Sequence, residues 1–240
     1  MIFVMHKTIR IYTIIIFTII TSVELFGQPL IGAQLGLNLS KLSGDKGNDE
    51  NTMRVGVSPY ITLDFPINHM ISIETGIAYS MQGMKRTQFD RETTYVSTTT
   101  TKYQLDYFVV PLYLKENFTN FYAKIGPYGA FLASGVEKWD RTENALGEIT
   151  NTSGINSDFG STISPYDVGL SIGFGHIHYF PKSRRRRRKS FGKRRTSRVL
   201  QVDFKYNFGF VPLNNTGNDP NLNLRNRVFS VGLSINSVID

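Results

Sequence analysis

The chain has 240 residues, 27 Lys and Arg against 19 Asp and Glu, and no cysteine. The lack of cysteine excludes a disulfide framework, a thiol nucleophile, a thiolate metal site and a lipid anchor on cysteine. The formal charge of +8 is local: residues 182–198 hold eleven Lys and Arg and no acid, so the rest of the chain is acidic, and the charge is no argument for general nucleic-acid binding.

The N-terminus reads as a targeting segment. His6, Lys7 and Arg10 are basic, Ile11 to Ile20 is almost wholly apolar, and Leu25-Phe26-Gly27-Gln28 offers cleavage after a small residue. This predicts a secretory signal peptide over 1–28 and a mature domain over 29–240. The apolar run falls short of the ~20 residues of a membrane helix. No later segment approaches one, so entry into a membrane requires a closed barrel.

The mature chain alternates with period two. Strand one is expected at about Leu30 to Lys41, with Ile31, Ala33, Leu35, Leu37 and Leu39 opposite Gly32, Gln34, Gly36, Asn38 and Ser40. Strand two runs from about Arg54 to Phe65, followed by a tight turn at Pro66-Ile67-Asn68-His69. Strand three, about Met70 to Gly83, sets Ile71, Ile73, Thr75, Ile77, Tyr79 and Met81 against Ser72, Glu74, Gly76, Ala78, Ser80 and Gln82. The threonine-rich segment Thr87 to Thr101 offers an extension of strands three and four beyond the membrane.

Strands four and five form a hairpin from Tyr103 to Gly135, joined through Glu116-Asn117-Phe118-Thr119. In strand four, Tyr103, Leu105, Tyr107, Val109, Pro111 and Tyr113 are read as the apolar face and Lys102, Gln104 and Asp106 as the polar one. In strand five, Phe121, Ala123, Ile125, Pro127 and Phe131 oppose Tyr122, Lys124, Gly126, Tyr128 and Ala130. A long polar loop is expected over Val136 to Thr162. Strand six follows at about Ser164 to Phe180, then a basic connection at 181–198, strand seven at about Val199 to Phe210, a polar loop at Asn214 to Asn223, and strand eight at about Arg227 to Val238.

The expected fold is all-β: an eight-stranded, antiparallel, up-and-down transmembrane barrel. Long and short connections alternate, as in bacterial outer-membrane barrels with short periplasmic turns and long external loops, and this places both termini in the periplasm. A soluble β-sandwich or lipocalin-like barrel also alternates. The polar faces here, however, are rich in Gly, Ser and Ala with isolated charges, which suits a narrow lumen better than a solvated face. A one-residue slip of strand five would turn Lys124 toward lipid, at about 2–4 kcal/mol at the midplane.

The isolated charges Arg54, Glu74, Lys102, Asp106, Lys124, Asp167, Asp203 and Lys205 are the candidate lumen network, since a buried charge must find a partner. The other reading of Glu74 and Asp106 is an acid–base pair. His176 and His178 are two apart and point the same way, with no third ligand in evidence. No spacing proposes a catalytic triad, a phosphate loop or a cofactor. The expectation is a protein without enzymatic activity, cofactor or metal. In the periplasm, Arg184, Arg185, Arg186, Arg187, Arg188, Lys189, Lys193, Arg194 and Arg195 would meet anionic headgroups or an acidic partner, at about 1 kcal/mol per residue. The bland reading is a tolerated loop insertion.

The stretch Asp106-Tyr107-Phe108-Val109-Val110-Pro111-Leu112-Tyr113-Leu114-Lys115, followed by Phe121-Tyr122-Ala123-Lys124-Ile125-Gly126-Pro127-Tyr128 and by Ala133-Ser134-Gly135, resembles the hallmark hairpin of the PorT-like outer-membrane β-barrel family of Bacteroidetes. Gly32, Gly36 and Asn38, and the run Glu74-Thr75-Gly76-Ile77-Ala78-Tyr79-Ser80, fit the same pattern. The arginine run departs from it. The resemblance implies an outer-membrane location and, for one namesake, a link to type IX secretion. Expected partners are therefore outer-membrane lipids and other envelope or type IX secretion components, not nucleic acid; no small-molecule ligand is indicated. An eight-stranded barrel has room inside only for side chains. The expected role is therefore structural or secretion-associated, without an open pore. The alternative is surface binding or adhesion through loops 136–162 and 87–101.

Overall fold

The computed structural model describes residues 28–44, 50–91, 95–145, 148–179, 198–213 and 224–238. The expected signal peptide and the arginine run lie outside the described residues. The elements are β1 (Leu30–Ser43), β2 (Glu50–Pro66), β3 (Ile71–Arg91), β4 (Tyr95–Asn117), β5 (Phe121–Ala145), β6 (Glu148–Asn156), the single-turn helix α1 (Phe159–Thr162), β7 (Tyr166–Tyr179), β8 (Arg198–Gly209) and β9 (Arg225–Val238).

Eight of the strands close a ring. Each of β1 to β4 pairs with its sequence neighbour, β4 with β5, β5 with β7, β7 with β8, β8 with β9, and β9 returns to β1. All pairings are antiparallel. Closure leaves no edge inside the ring, which is what a sheet in lipid requires. Register follows the alternation: Leu35 sits between Pro59 and Leu233, and Gly36 between Ser58 and Gly232. In each strand of the ring alternate residues carry apolar side chains outward; Leu35 of β1 is 64% exposed and Phe174 of β7 62%. A soluble monomer rarely exposes a continuous apolar surface of more than a few hundred Å². Here the apolar face continues from strand to strand around the ring.

The two ends of the ring differ. At one end lie the first residue of β1, the last residues of β9 and the turns after β2 and β4. The first turn is held by Asn68, whose Oδ1 accepts from the backbone N–H of Met70 and of Ile71, both at 2.8 Å. In the second, Phe118 N–H donates to the Phe121 carbonyl at 2.8 Å. At the far end β3, β4 and β5 continue past the ring. β3 and β4 reach Arg91 and Tyr95, as the threonine-rich segment suggested.

Residues 136–162 correct the loop expected there. Glu137–Ala145 continues β5, and Glu148–Asn156 returns along it as β6, followed by α1. The composition that reads as a loop is also rich in Thr, which favours strands, and Ser97 to Thr101 of β4 pairs with Trp139 to Glu143 on the other side. The extension is nine residues of β5 long, about 30 Å along the strand. At its base β5 carries a bulge: Tyr107 pairs with Leu132 and Asp106 with Ser134, leaving Ala133 unmatched.

β4 brings a second correction. Its lumen face is Leu105, Tyr107, Val109, Pro111, Tyr113 and Lys115, all buried; Phe108, Val110, Leu112 and Leu114 face out at about half exposure. The faces are the reverse of the sequence expectation. Both sides of β4 are apolar, so alternation alone carries no contrast, and tyrosine fills a lumen well because its ring occupies volume while its hydroxyl finds a partner.

Candidate functional site

The lumen is the most chemically elaborate region of the molecule. It is built from strand positions that the alternation sends inward. Asp64 on β2, Glu74 on β3, Lys115 on β4, Lys124 on β5, and Asp203 and Lys205 on β8 are all buried. They form one chain across the ring. Lys115 Nζ donates to Asp64 Oδ2 at 2.8 Å and to Glu74 Oε2 at 3.1 Å. Lys124 Nζ donates to Glu74 Oε1 at 2.8 Å and to Asp203 Oδ2 at 2.9 Å. Lys205 Nζ lies 3.7 Å from the same Asp203 oxygen.

Three carboxylates meet three ammonium groups, so the set is neutral. Aromatic rings and polar groups complete it. Tyr122 hydroxyl donates to Asp203 Oδ1 at 3.0 Å, and Tyr113 hydroxyl pairs with Ser171 Oγ at 2.8 Å. Lys115 lies 4.6 Å from the centre of the Tyr122 ring, Lys124 4.8 Å from that of Tyr113, and Lys205 4.8 Å from that of Tyr60. Buried charges persist when each is paired and hydrogen-bonded, and here each ammonium group has a carboxylate and a ring.

Toward the far end the filling becomes apolar. Leu42, Met84, Leu105, Tyr107, Ile163 and Leu224 are buried together, with Phe159 of α1 packed on Tyr103 at 5.2 Å between ring centres. Leu213, just after β8, is tied in by its N–H to the Leu224 carbonyl and by its carbonyl to the Ser164 N–H, both at 2.8 Å. Between the ionic and apolar fillings is a polar cavity of about 20 Å³ beside Tyr60, Ser80, Lys205 and Ser230. That is room for about one water molecule.

The expected network divides. Glu74, Lys124, Asp203 and Lys205 come together. Asp167 is in the lumen but apart from them, accepting from Tyr128 hydroxyl and Asn226 Nδ2, both at 3.1 Å. Arg54 is half-buried near the far rim, and its guanidinium donates to the Gln82 carbonyl.

Asp106 and Lys102 are not lumen residues. Asp106 lies on the outer face beside Phe108 and accepts from Tyr79 hydroxyl at 2.8 Å. Lys102 is half-exposed on the extension, 3.7 Å from Asp140. Both misplacements follow from the reversed faces of β4. The same reversal rules out an acid–base pair of Glu74 and Asp106, which sit on opposite sides of the wall. The expected network left out Lys115, and it left out Asp64 although the alternation of strand two sets Asp64 on the polar face with Arg54, Ser58 and Thr62. The signal for Lys115 was its parity with Tyr113 and Val109.

His176 lies on the outer face against Phe121, with ring centres 4.9 Å apart. Among the described residues no group of three His, Cys, Asp or Glu side chains converges as a metal site would require. The nine Arg and Lys of the basic connection, Arg184 to Arg195, lie outside the described residues.

The chain is similar in structure to several outer-membrane barrels. These include Ail, the attachment invasion locus protein of Yersinia pestis (9% identity, 88% of this chain and 99% of that one, TM-score 0.35). Neisserial surface protein A follows at 10% identity, 87% and 97% coverage and a TM-score of 0.32. OprG from Pseudomonas aeruginosa has 12% identity, 88% and 96% coverage and a TM-score of 0.36. The comparison with curated proteins found no match. The ring of eight antiparallel strands, the apolar outer face and the filled lumen agree with the family model for the outer membrane protein beta-barrel domain, which matches residues 26–215, and the chain belongs to that outer-membrane β-barrel family.

Proposed function

We propose that the protein is a non-enzymatic, non-conducting barrel of the outer membrane that works at the cell surface through the sheet it projects beyond the ring. The filled lumen carries this reading. A pore needs a continuous aqueous path, and here a neutral chain of six charges crosses the ring while an apolar cluster fills the far end. On this reading the barrel interior holds the wall rigid. The projecting sheet of β3 to β6 is then the part that meets other molecules. The short turns after β2 and β4 support an orientation with both termini periplasmic and the sheet outside.

The test is electrical. Purified protein in a planar bilayer gives no conductance steps on this account; regular single-channel steps would refute it. Exchanging the tips of the β3–β4 and β5–β6 hairpins for short turns should abolish surface binding while the barrel still assembles.

A structural or secretion-associated role is the second reading. It is favoured by the PorT-like hairpin of β4 and β5. Cells lacking the protein would then fail to export type IX cargo, whereas hairpin-tip exchange would leave export intact.

A further inference from the structure

Among the described residues β6 is an edge strand: it pairs only with β5, from Glu137↔Asn156 to Ala145↔Glu148, in unbroken register. Every second residue therefore presents its N–H and C=O to solvent. Natural edges are blunted by Lys, Pro, bulges or inward charges. Glu148-Ile149-Thr150-Asn151-Thr152-Ser153-Gly154-Ile155-Asn156 has none of these, and its single charge stands at the first position. Ile155 at 70% and Ile149 at 66% are the two most exposed large apolar side chains among the described residues. Both lie beyond the ring, so the lipid that covers Leu35 or Phe174 does not account for them.

The strand is complementary to itself when reversed. An antiparallel pair centred on Thr152 sets Ile149 opposite Ile155 of the second copy and Ile155 opposite its Ile149. Asn151 then meets Ser153, Thr150 meets Gly154, Thr152 meets Thr152, and Glu148 meets Asn156, with no like charges opposed. Two cross-strand isoleucine pairs fall on one face, the arrangement that stabilises strand pairing. On the other face the Trp139 ring lies over Gly154; a Cβ there would sit 2.6 Å from the ring.

Symmetry decides where the second copy stands. The two-fold axis of an antiparallel strand pair is perpendicular to the sheet. The β3–β4 ladder passes from the ring into the extension in one register, and β5 stays paired with β4 on both sides of its bulge at Ala133, so the sheet there continues the barrel wall and its normal is perpendicular to the barrel axis. A two-fold about that normal reverses the barrel axis. Two copies in one membrane share one axis direction and cannot pair this way, whereas copies in two facing membranes can.

We propose that β6 is a homotypic adhesion strand, pairing with β6 of a copy in an opposed membrane. This rests on the surface-binding reading above and supplies its partner.

The experiment uses full-length mature protein in phospholipid vesicles. Wild-type vesicles should aggregate in light scattering. Vesicles carrying Ile149→Lys with Ile155→Lys, or Ile149→Glu with Ile155→Glu, should each aggregate about tenfold less or worse. Mixing the two variants should restore aggregation, because each introduced lysine then faces an introduced glutamate. Thr152→Cys gives an independent readout in a chain without cysteine. Two differently tagged vesicle populations, mixed and oxidised, should yield mixed-tag dimers.

Dispersed wild-type vesicles, variants that aggregate like wild type, an inert mixture of the two variants, or dimers confined to one population would each overturn the proposal. The hairpin-tip exchange tests surface binding separately, so its success alongside dispersed wild-type vesicles would discard self-pairing alone.

Discussion

Lys124→Met removes the centre of the lumen network while keeping the length of the side chain. Lys124 is 4% exposed and holds Glu74 at 2.8 Å and Asp203 at 2.9 Å. After the change Glu74 keeps Lys115 at 3.1 Å, but the cation nearest Asp203 is then Lys205 at 3.7 Å, beside the Tyr122 hydroxyl at 3.0 Å, and the six-charge set goes from neutral to one net negative charge. Removing one partner of a buried ion pair costs about 3–5 kcal/mol, because the surviving charge stays desolvated.

The assay is urea unfolding in vesicles, read by the mobility of the unheated band on a denaturing gel. Fluorescence would mislead, since Trp139 is the single tryptophan and sits on the extension rather than in the ring. Adding Asp203→Asn should recover at least about half the loss, as the stranded carboxylate is then gone. Lys102→Met is the control: its partner Asp140 is exposed, so the change should stay within about 0.5 kcal/mol. A Lys124→Met midpoint within about 1 kcal/mol of wild type, or a double variant no better than the single, would refute the claim that a paired network fills the lumen.

Other expectations concern backbone, closure and the basic connection. Gly83 has φ +137°, and a Cβ there would lie 2.0 Å from the Tyr103 carbonyl oxygen. Gly83→Val should therefore cost about 1–3 kcal/mol or more in the same urea assay, and an unchanged midpoint would contradict the close approach of β3 and β4. Leu35 and Leu233 are register partners across the β1–β9 seam. Cysteines at both positions should oxidise within one chain and give a boiled band that slows on reduction; their failure to cross-link would open the ring. Deleting 183–195 removes nine basic residues, each contributing about 1 kcal/mol near an anionic surface, so salt-sensitive binding of the refolded protein to anionic liposomes should vanish. Unchanged binding would leave that segment as a tolerated insertion.

How much was legible depended on contrast between faces. In β1, β7 and β9 one face is small or polar and the other apolar, and Leu35, Val168 and Leu233 point out as the alternation says. In β4 the contrast fails, because Tyr107, Val109 and Tyr113 alternate with Phe108, Val110 and Leu112. Strand parity is all or nothing, so one wrong choice moved Lys102 and Asp106 into the lumen and kept Lys115 out of it. The β5–β6 half of the extension was illegible for the opposite reason. Thr142, Asn144, Thr150 and Asn151 are polar on both faces, and only pairing with β4 and β6 makes strands of them. Asp64 was visible as a lumen position, but which lysine it would meet depended on how β4 faces, and the reversed reading hid Lys115.

A closed, stable ring in the outer membrane underlies all of these expectations. The most direct test is to isolate that membrane from expressing cells and run it unheated and boiled on a denaturing gel. A closed ring gives an unheated band that migrates faster than the boiled one in that fraction. A band in the soluble periplasm, with no shift on boiling, would contradict it and would mean that the apolar faces of these strands pack on one another instead of on lipid.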